Sequence, residues 1–219
     1  SLDAGSTDIL VVVEKGGQAL IQIRDNGSGI PPDQLEFSIL RYHTSKISTL
    51  ENLFAIKTLG FRGEALSSIS SVSEMNIISS CGNDIGAELK IVNGKVKDVI
   101  PAASINGTEI TIKNLFYNTP ARRKFLKTPR TELRKVVDVV RRYGLSFPEA
   151  TFKLIADNRT IFHLNSETLE ERIDNLLDPT YSRNLLPINV VKGDYSFSGF
   201  AGNLNLVRTR PGEQYLFLN

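Results

Sequence analysis

One cysteine, Cys81, stands in 219 residues. That excludes an intrachain disulfide and any cysteine-only zinc cluster, and it fits a reducing compartment. By itself Cys81 reads as a small apolar residue closing a strand. No apolar run approaches the roughly 20 residues that a membrane helix needs, and the first residues carry no charged-then-apolar export signal. The expectation is therefore a cytoplasmic protein with no membrane contact. Neither GxxxxGK[ST] nor GxGxxG after a strand occurs, so P-loop and dinucleotide-binding folds lack support. Strong net charge is missing too: at +2, any nucleic-acid contact must come from local clustering rather than from the chain as a whole. Repeats and low-complexity stretches are also lacking.

What is present is an ordinary globular composition, 41% hydrophobic and 23% charged, enough to bury one large core or two smaller ones. DILVVVE and ALIQIRD are β-branched runs joined by Lys15, Gly16, Gly17 and Gln18, a hairpin signature. A short amphipathic helix is expected over 33–40, a second over 50–56 and a third over 64–71. Strands follow near 74–80, 87–91, 96–100 and 109–113, with turns at Gly94 and Gly107. From Pro120 the period becomes helical. Leu133, Val136, Val137, Val140 and Tyr143 recur at three- and four-residue spacing as one buried stripe, with Gly144 as its terminator. Strands near 152–155 and 160–164 and a helix over 169–177 complete a first domain, residues 1–180. Residues 181–219 return to short strands and open a second unit. SLDAGST begins in mid-pattern, so residues are expected before Ser1.

The residues with most chemistry lie in TLGFRGEAL. Gly60 and Gly63 bracket Phe61 and Arg62, and Glu64, Ala65 and Leu66 start a helix, so the loop reads either as an ordinary helix entry or as a phosphate cradle of inward main-chain N–H groups. Asp25 ends a strand where DNGSG begins. It is either a plain Asx-type turn or a carboxylate that accepts an exocyclic amine, with Gly27 and Gly29 admitting a flat ring. A calcium loop ending at Glu36 fails, because those glycines occupy ligand positions. Thr44, Ser45 and Lys46 set two hydroxyls beside one ammonium, donors suited to phosphate oxygens. His43, next to them, reads as a half-exposed structural histidine. Thr108 is a β-branched residue opening a strand.

LGFRGEAL resembles the third nucleotide motif of the MutL family of DNA mismatch-repair ATPases, within the gyrase, heat-shock chaperone, histidine kinase and MutL (GHKL) superfamily. SLDAGST, RDNGSGI, RYHTSKI, NGTEI and NLFYNTPARRKFLK match in the same order. Tyr42 and His43 depart from the family's usual His and Ala. The resemblance implies an α+β fold, a two-layer sandwich with a mixed sheet and helices on one face, followed by the start of a ribosomal-protein-like α/β domain. It implies ATP and Mg²⁺ as cofactors. Asp25 takes the adenine amino group, with Thr108 nearby, Thr44, Ser45 and Lys46 at the triphosphate edge, and main-chain donors of residues 60–66 on the phosphates. A lid over residues 47–62 is expected to order on ATP. The family's catalytic glutamate and magnesium asparagine are expected before Ser1, and a γ-phosphate lysine after Asn219, so this stretch alone is expected to lack turnover.

Arg122, Arg123, Lys124, Lys127, Arg130, Arg134, Lys135, Arg141 and Arg142 face only Glu132 and Asp138 in their segment. They form a solvated helix face or a DNA contact, with Phe116, Tyr117 and Phe125 as anchors beneath. The resemblance favours DNA at Arg122, Arg123, Lys127, Arg130 and Arg134, a MutS-type partner and an ATP-driven homodimer. The alternatives are a nucleotide-gated DNA clamp without catalysis, or another GHKL enzyme such as a gyrase-type topoisomerase subunit or a histidine kinase.

Overall fold

The computed structural model describes residues 1–44, 58–82, 85–207 and 213–218. The helix expected over 50–56 and most of the lid lie outside them. Eight strands form one sheet: β1 (Asp8–Glu14), β2 (Leu20–Asp25), β3 (Glu74–Ser80), β4 (Gly86–Val92), β5 (Lys95–Ala102), β6 (Gly107–Lys113), β7 (Thr151–Ala156) and β8 (Arg159–Leu164), in the order β5-β4-β3-β6-β2-β1-β7-β8. Among the described residues β1 and β7 pair in parallel and the other pairings are antiparallel. The sheet is mixed, as expected.

Alternation along the strands decides which face is covered. Ile9, Val11 and Val13 of β1 lie opposite Asp25, Ile23 and Ile21 of β2, and those lie opposite Thr108, Ile110 and Ile112 of β6. The same rows continue into Ser79, Ile77 and Met75 of β3. On that one face pack α1 (Ala65–Ser70), α3 (Pro129–Ser146) and α4 (Leu169–Leu176); the short α2 (Pro120–Arg123) precedes α3. Two clusters meet at Ile21, one under α3 and α4 and one under α1 and the 3₁₀ helix Pro32–Ile39. Each fully buried Leu or Ile there contributes about 1.5–3 kcal/mol.

Four expectations change. Residues 33–40 bury Leu35 and Ile39 as expected, but through 3₁₀ bonds such as Gln34 N–H to Pro31 O and Leu40 N–H to Phe37 O. Gly144 does not end α3. It lies inside the helix, where a Cβ would stand 3.1 Å from Leu164 Cδ1, so glycine there is for close approach. Tyr143 is 41% exposed instead of buried. Phe125 is 80% exposed and anchors nothing.

The last turn of α3 carries a carbonyl problem that the fold solves from a distance. Pro148 has no N–H, so Gly144 O lacks its helical donor. Arg172 of α4, fully buried, donates from Nη1 to Gly144 O at 2.7 Å and from Nη2 to the carbonyls of Pro148, Ala150 and Asn165, while its Nε pairs with Glu167. After α4, β9 (Leu185–Lys192) and β10 (Tyr195–Gly202) form a separate two-stranded sheet. One face of that hairpin exposes Leu186, Ile188, Val190, Tyr195 and Phe197.

Candidate functional site

The rows of the sheet end in polar residues. Asp25 of β2 and Ser79 of β3 both lie opposite Thr108 of the intervening β6, on the core-side face and one row beyond Ile23, Ile110 and Ile77. Direct cross-strand partners of this kind bring Cβ atoms to about 4.5–5.5 Å. The Asp25 carboxylate is 8% exposed: Oδ1 accepts the Gly27 N–H at 2.9 Å and Oδ2 accepts the Ser1 hydroxyl at 2.7 Å. Thr108 Oγ1 lies 2.8 Å from Ser79 Oγ. A carboxylate and a hydroxyl are thus held side by side at a sheet end, by strand register rather than by a loop.

The DNGSG loop is fixed from both sides. Asn26 Oδ1 accepts from Ser6 Oγ and from the amides of Thr7 and Asp8, and its amide donates to Thr7 Oγ1 and Asp8 Oδ2. That staples the loop to the entry of β1. Gly29 has φ +72°, and a Cβ there would stand 2.0 Å from Ser80 O. Gly27 would place its Cβ 2.9 Å from Ala4 Cβ. The two glycines let the loop seat against its own protein, a packing reason that stands beside the expected admission of a flat ring.

The glycine loop comes to the same region through the opening residues. The 3₁₀ turn Leu2–Ala4 follows Ser1, and Asp3 accepts the Leu59 N–H at 3.0 Å and the Gly60 N–H at 3.3 Å. Ser1 and Asp3 are two residues apart, at most about 7 Å along the chain, and they touch Asp25 and Gly60 respectively. Tyr42 N–H donates to Gly63 O at 3.1 Å, and a Cβ on Gly63, φ +62°, would meet His43 O at 2.3 Å. The RYHT and LGFRG segments are therefore in direct contact. Exposed His43 stacks on Phe37 at 5.4 Å, a structural contact. The Arg62 guanidinium sits 5.4 Å from the Phe61 ring centroid. Glu64 is the residue before α1, and Ala65 and Leu66 are its first two residues. Thr44 is partly buried, whereas Ser45 and Lys46 lie outside the described residues. Among the described residues no three His, Cys, Asp or Glu side chains gather to hold a metal; Mg²⁺ at a nucleotide needs only one or two protein ligands beside phosphate oxygens and water.

Arg122, Arg123, Lys127, Arg130 and Arg134 are all exposed. Lys135 pairs with Glu132 and Arg142 with Asp138, but those five form no ion pair among the described residues. Arg130 and Arg134 border a shallow furrow on α3 with Leu133, Val137, Asp138 and Arg141. The Thr128 cap accepts from Thr131 N–H. Glu132 accepts the Lys127 N–H, and this bond, helped by Lys135, holds its carboxyl below the usual glutamate value. Sequence reasoning missed Ser79, Asn26 and an apolar groove of about 550 Å³ between β1–β2 and α3, lined by Ile9, Val11, Ile23, Val136, Val139 and Tyr143.

Comparison with known proteins places the chain among ATPase domains. The model of histidine kinase-, DNA gyrase B- and HSP90-like ATPases matches residues 1–112. A solved Aquifex aeolicus MutL ATPase domain complexed with ADP is 30% identical at TM-score 0.68, over 87% of this chain and 67% of that one. The chain belongs to the MutL family. DNA mismatch repair protein MutL of Chlorobaculum tepidum is 36% identical over 220 residues, which cover 100% of this chain and 35% of that protein. MutL of Agrobacterium fabrum is 40% identical over 222 residues, with coverage of 100% and 36%. The chain thus spans about a third of the length of these relatives. The general ATPase match stops at Ile112. The MutL relatives also align through the basic segment and the β9–β10 hairpin.

Proposed function

We propose that this chain is the nucleotide-binding part of a MutL-type ATPase of DNA mismatch repair. In that reading Asp25 accepts the adenine amino group, Thr108 stands beside it, and Gly27 and Gly29 lock the loop that presents the carboxylate. Thr44, Ser45, Lys46 and residues 60–66 serve the triphosphate, with Mg²⁺ bound by groups outside the described residues. Bound Mg²⁺ would screen the phosphate charge. ATP drives an N-terminal homodimer and DNA engagement through Arg122, Arg123, Lys127, Arg130 and Arg134; slow hydrolysis resets it, and a MutS-type protein supplies the mismatch signal. The β9–β10 hairpin opens a second α/β domain, whose remainder covers the exposed apolar face. Work in the cytoplasm on nucleoid DNA completes the reading.

One observation carries it: a nearly buried carboxylate with a hydroxyl opposite it, at a sheet end that also touches the glycine loop through Ser1 and Asp3. Replacing Asp25 by Asn exchanges an acceptor for a donor at half of the group. Losing a charged hydrogen bond of roughly 1.5–3 kcal/mol weakens ATP about 10- to 100-fold. Calorimetric titration of the full-length protein measures this, with circular dichroism to show that the variant is folded. Unchanged ATP affinity in a folded Asp25→Asn protein would overturn the proposal.

A further inference from the structure

Ser79 is fully buried, and its hydroxyl oxygen has three neighbours: Gly107 O at 2.9 Å, Ile30 N at 2.8 Å and Thr108 Oγ1 at 2.8 Å. Their chemistry assigns every hydrogen. A carbonyl only accepts, so the single Ser79 hydrogen lies on Gly107 O. An amide only donates, so the Ile30 N–H uses one Ser79 lone pair. The contact with Thr108 must then be donated by Thr108, which spends that residue's one hydrogen. Thr108 is partly exposed, and it has only lone pairs to offer a ligand. Asp25, across the register from it, is also an acceptor.

The strand ends fix this polarity. Gly107 has φ +113°, and a Cβ there would stand 2.1 Å from Asp25 O, so only glycine brings its carbonyl in beside β2 and over Ser79. Ile30 closes the DNGSG loop directly after Gly29, whose φ is +72°. The Ser79 hydroxyl is therefore where β3, β6 and the DNGSG loop are tied together.

We infer that Ser79 is a positioning residue that sets base specificity: by holding Thr108 as an acceptor it makes the Asp25–Thr108 pair demand hydrogen donors, favouring a 6-amino purine over a 6-oxo purine. The inference rests on the nucleotide reading above. A 6-oxo group would face lone pairs from both residues, and such mismatches are rejected far more strongly than a missing methylene. Without Ser79 the Thr108 hydroxyl rotates freely and donates to the oxo oxygen.

The test compares ATP with ITP, which differ at that edge, by calorimetric titration of the full-length protein. Wild type favours ATP. In Ser79→Ala the ITP-to-ATP ratio of Kd values falls about tenfold, the size of one redirected hydrogen bond. Ser79→Cys, which fills the same space with a weak donor and acceptor, moves it the same way by less, and it serves if the alanine variant does not fold. In a Thr108→Val background the Ser79 substitution shifts the ratio no further. A merely structural Ser79 would weaken both nucleotides in equal proportion. A ratio steady within twofold in the Ser79 variants overturns the inference, as does a Ser79 effect that persists at full size once the Thr108 hydroxyl is gone. Failure of the wild type to bind either nucleotide would instead sink the nucleotide reading itself.

Discussion

Replacing Arg172 by Met isolates what its guanidinium does, because the apolar stem keeps much of its volume. In the native chain Nε meets Glu167, Nη1 meets Gly144 O at 2.7 Å, and Nη2 meets Pro148 O at 2.8 Å, Ala150 O at 2.9 Å and Asn165 O at 2.6 Å. The side chain is fully buried and Glu167 is 11% exposed. Glu167 Oε2 and Pro148 O keep other donors, Asn175 and the Glu167 N–H. Gly144 O cannot recover a helical donor, because Pro148 has none. Removing one partner of a buried, hydrogen-bonded ion pair costs about 3–5 kcal/mol, and in a chain of this length that lowers Tm by on the order of 10 °C. Urea denaturation should show a lower midpoint at unchanged slope. Arg172→Lys should fall between, since an ammonium has three donors and no planar fork to reach acceptors on several sides. ATP affinity should hold, because Arg172 serves the α3–β7–α4 corner and not the Asp25 row. A Met variant within about 1 kcal/mol of wild type would refute the claim that this side chain caps α3.

Glu132 and Glu171 both have carboxyls held below the usual glutamate value, Glu132 first by the Lys127 N–H and Glu171 first by the Thr168 N–H. A depressed folded pKa stabilises above the unfolded value and is lost as pH falls through the folded one. Glu132→Gln or Glu171→Gln should therefore flatten the acid limb of a stability–pH curve below about pH 5, with little change from pH 6 to 8. Gly29→Ala forces a Cβ to 2.0 Å from Ser80 O at φ +72°. It should unseat the DNGSG loop and abolish ATP binding in calorimetry before it unfolds the sheet. Arg130→Glu with Arg134→Glu should weaken DNA binding and lower the slope of log K against log salt by about 2, at roughly 0.9 per phosphate contact; an unaltered slope in fluorescence anisotropy removes α3 from the DNA surface.

The strands were legible because each buried row repeats a two-residue alternation that any register must respect. Ile77 and Leu89 announce themselves wherever their partners lie. Asp25 was legible as well, standing where an apolar run gives way to DNGSG. Gly144 was misread for a physical reason: glycine after an apolar stripe is the usual sign of a helix end, and what overrides it is Leu164 and Leu176, 20 and 32 positions on, pressing against its Cα side. Phe125 was misread because an aromatic among cations looks like an anchor whether or not anything lies beneath it. The 3₁₀ form of Pro32–Ile39 was hidden because Leu35 and Ile39 mark a buried side under either helix type. Pro31 and Pro32, which lack amide hydrogens, were the available warning.

Ser79 and Arg172 share the deeper obstacle. Each does its work through main-chain atoms, Gly107 O and Ile30 N for one and four carbonyls for the other. Main-chain donors and acceptors are the same at every position, so sequence carries no letter for them. What a serine near a strand end and an arginine on an amphipathic helix do emerges only when register and loop closure bring those atoms together. Thr108 illustrates the consequence for function. Its motif position suggests that it stands near the base, but whether its hydroxyl gives or takes a hydrogen there is decided 29 residues away in sequence, by where Ser79 has already placed its own.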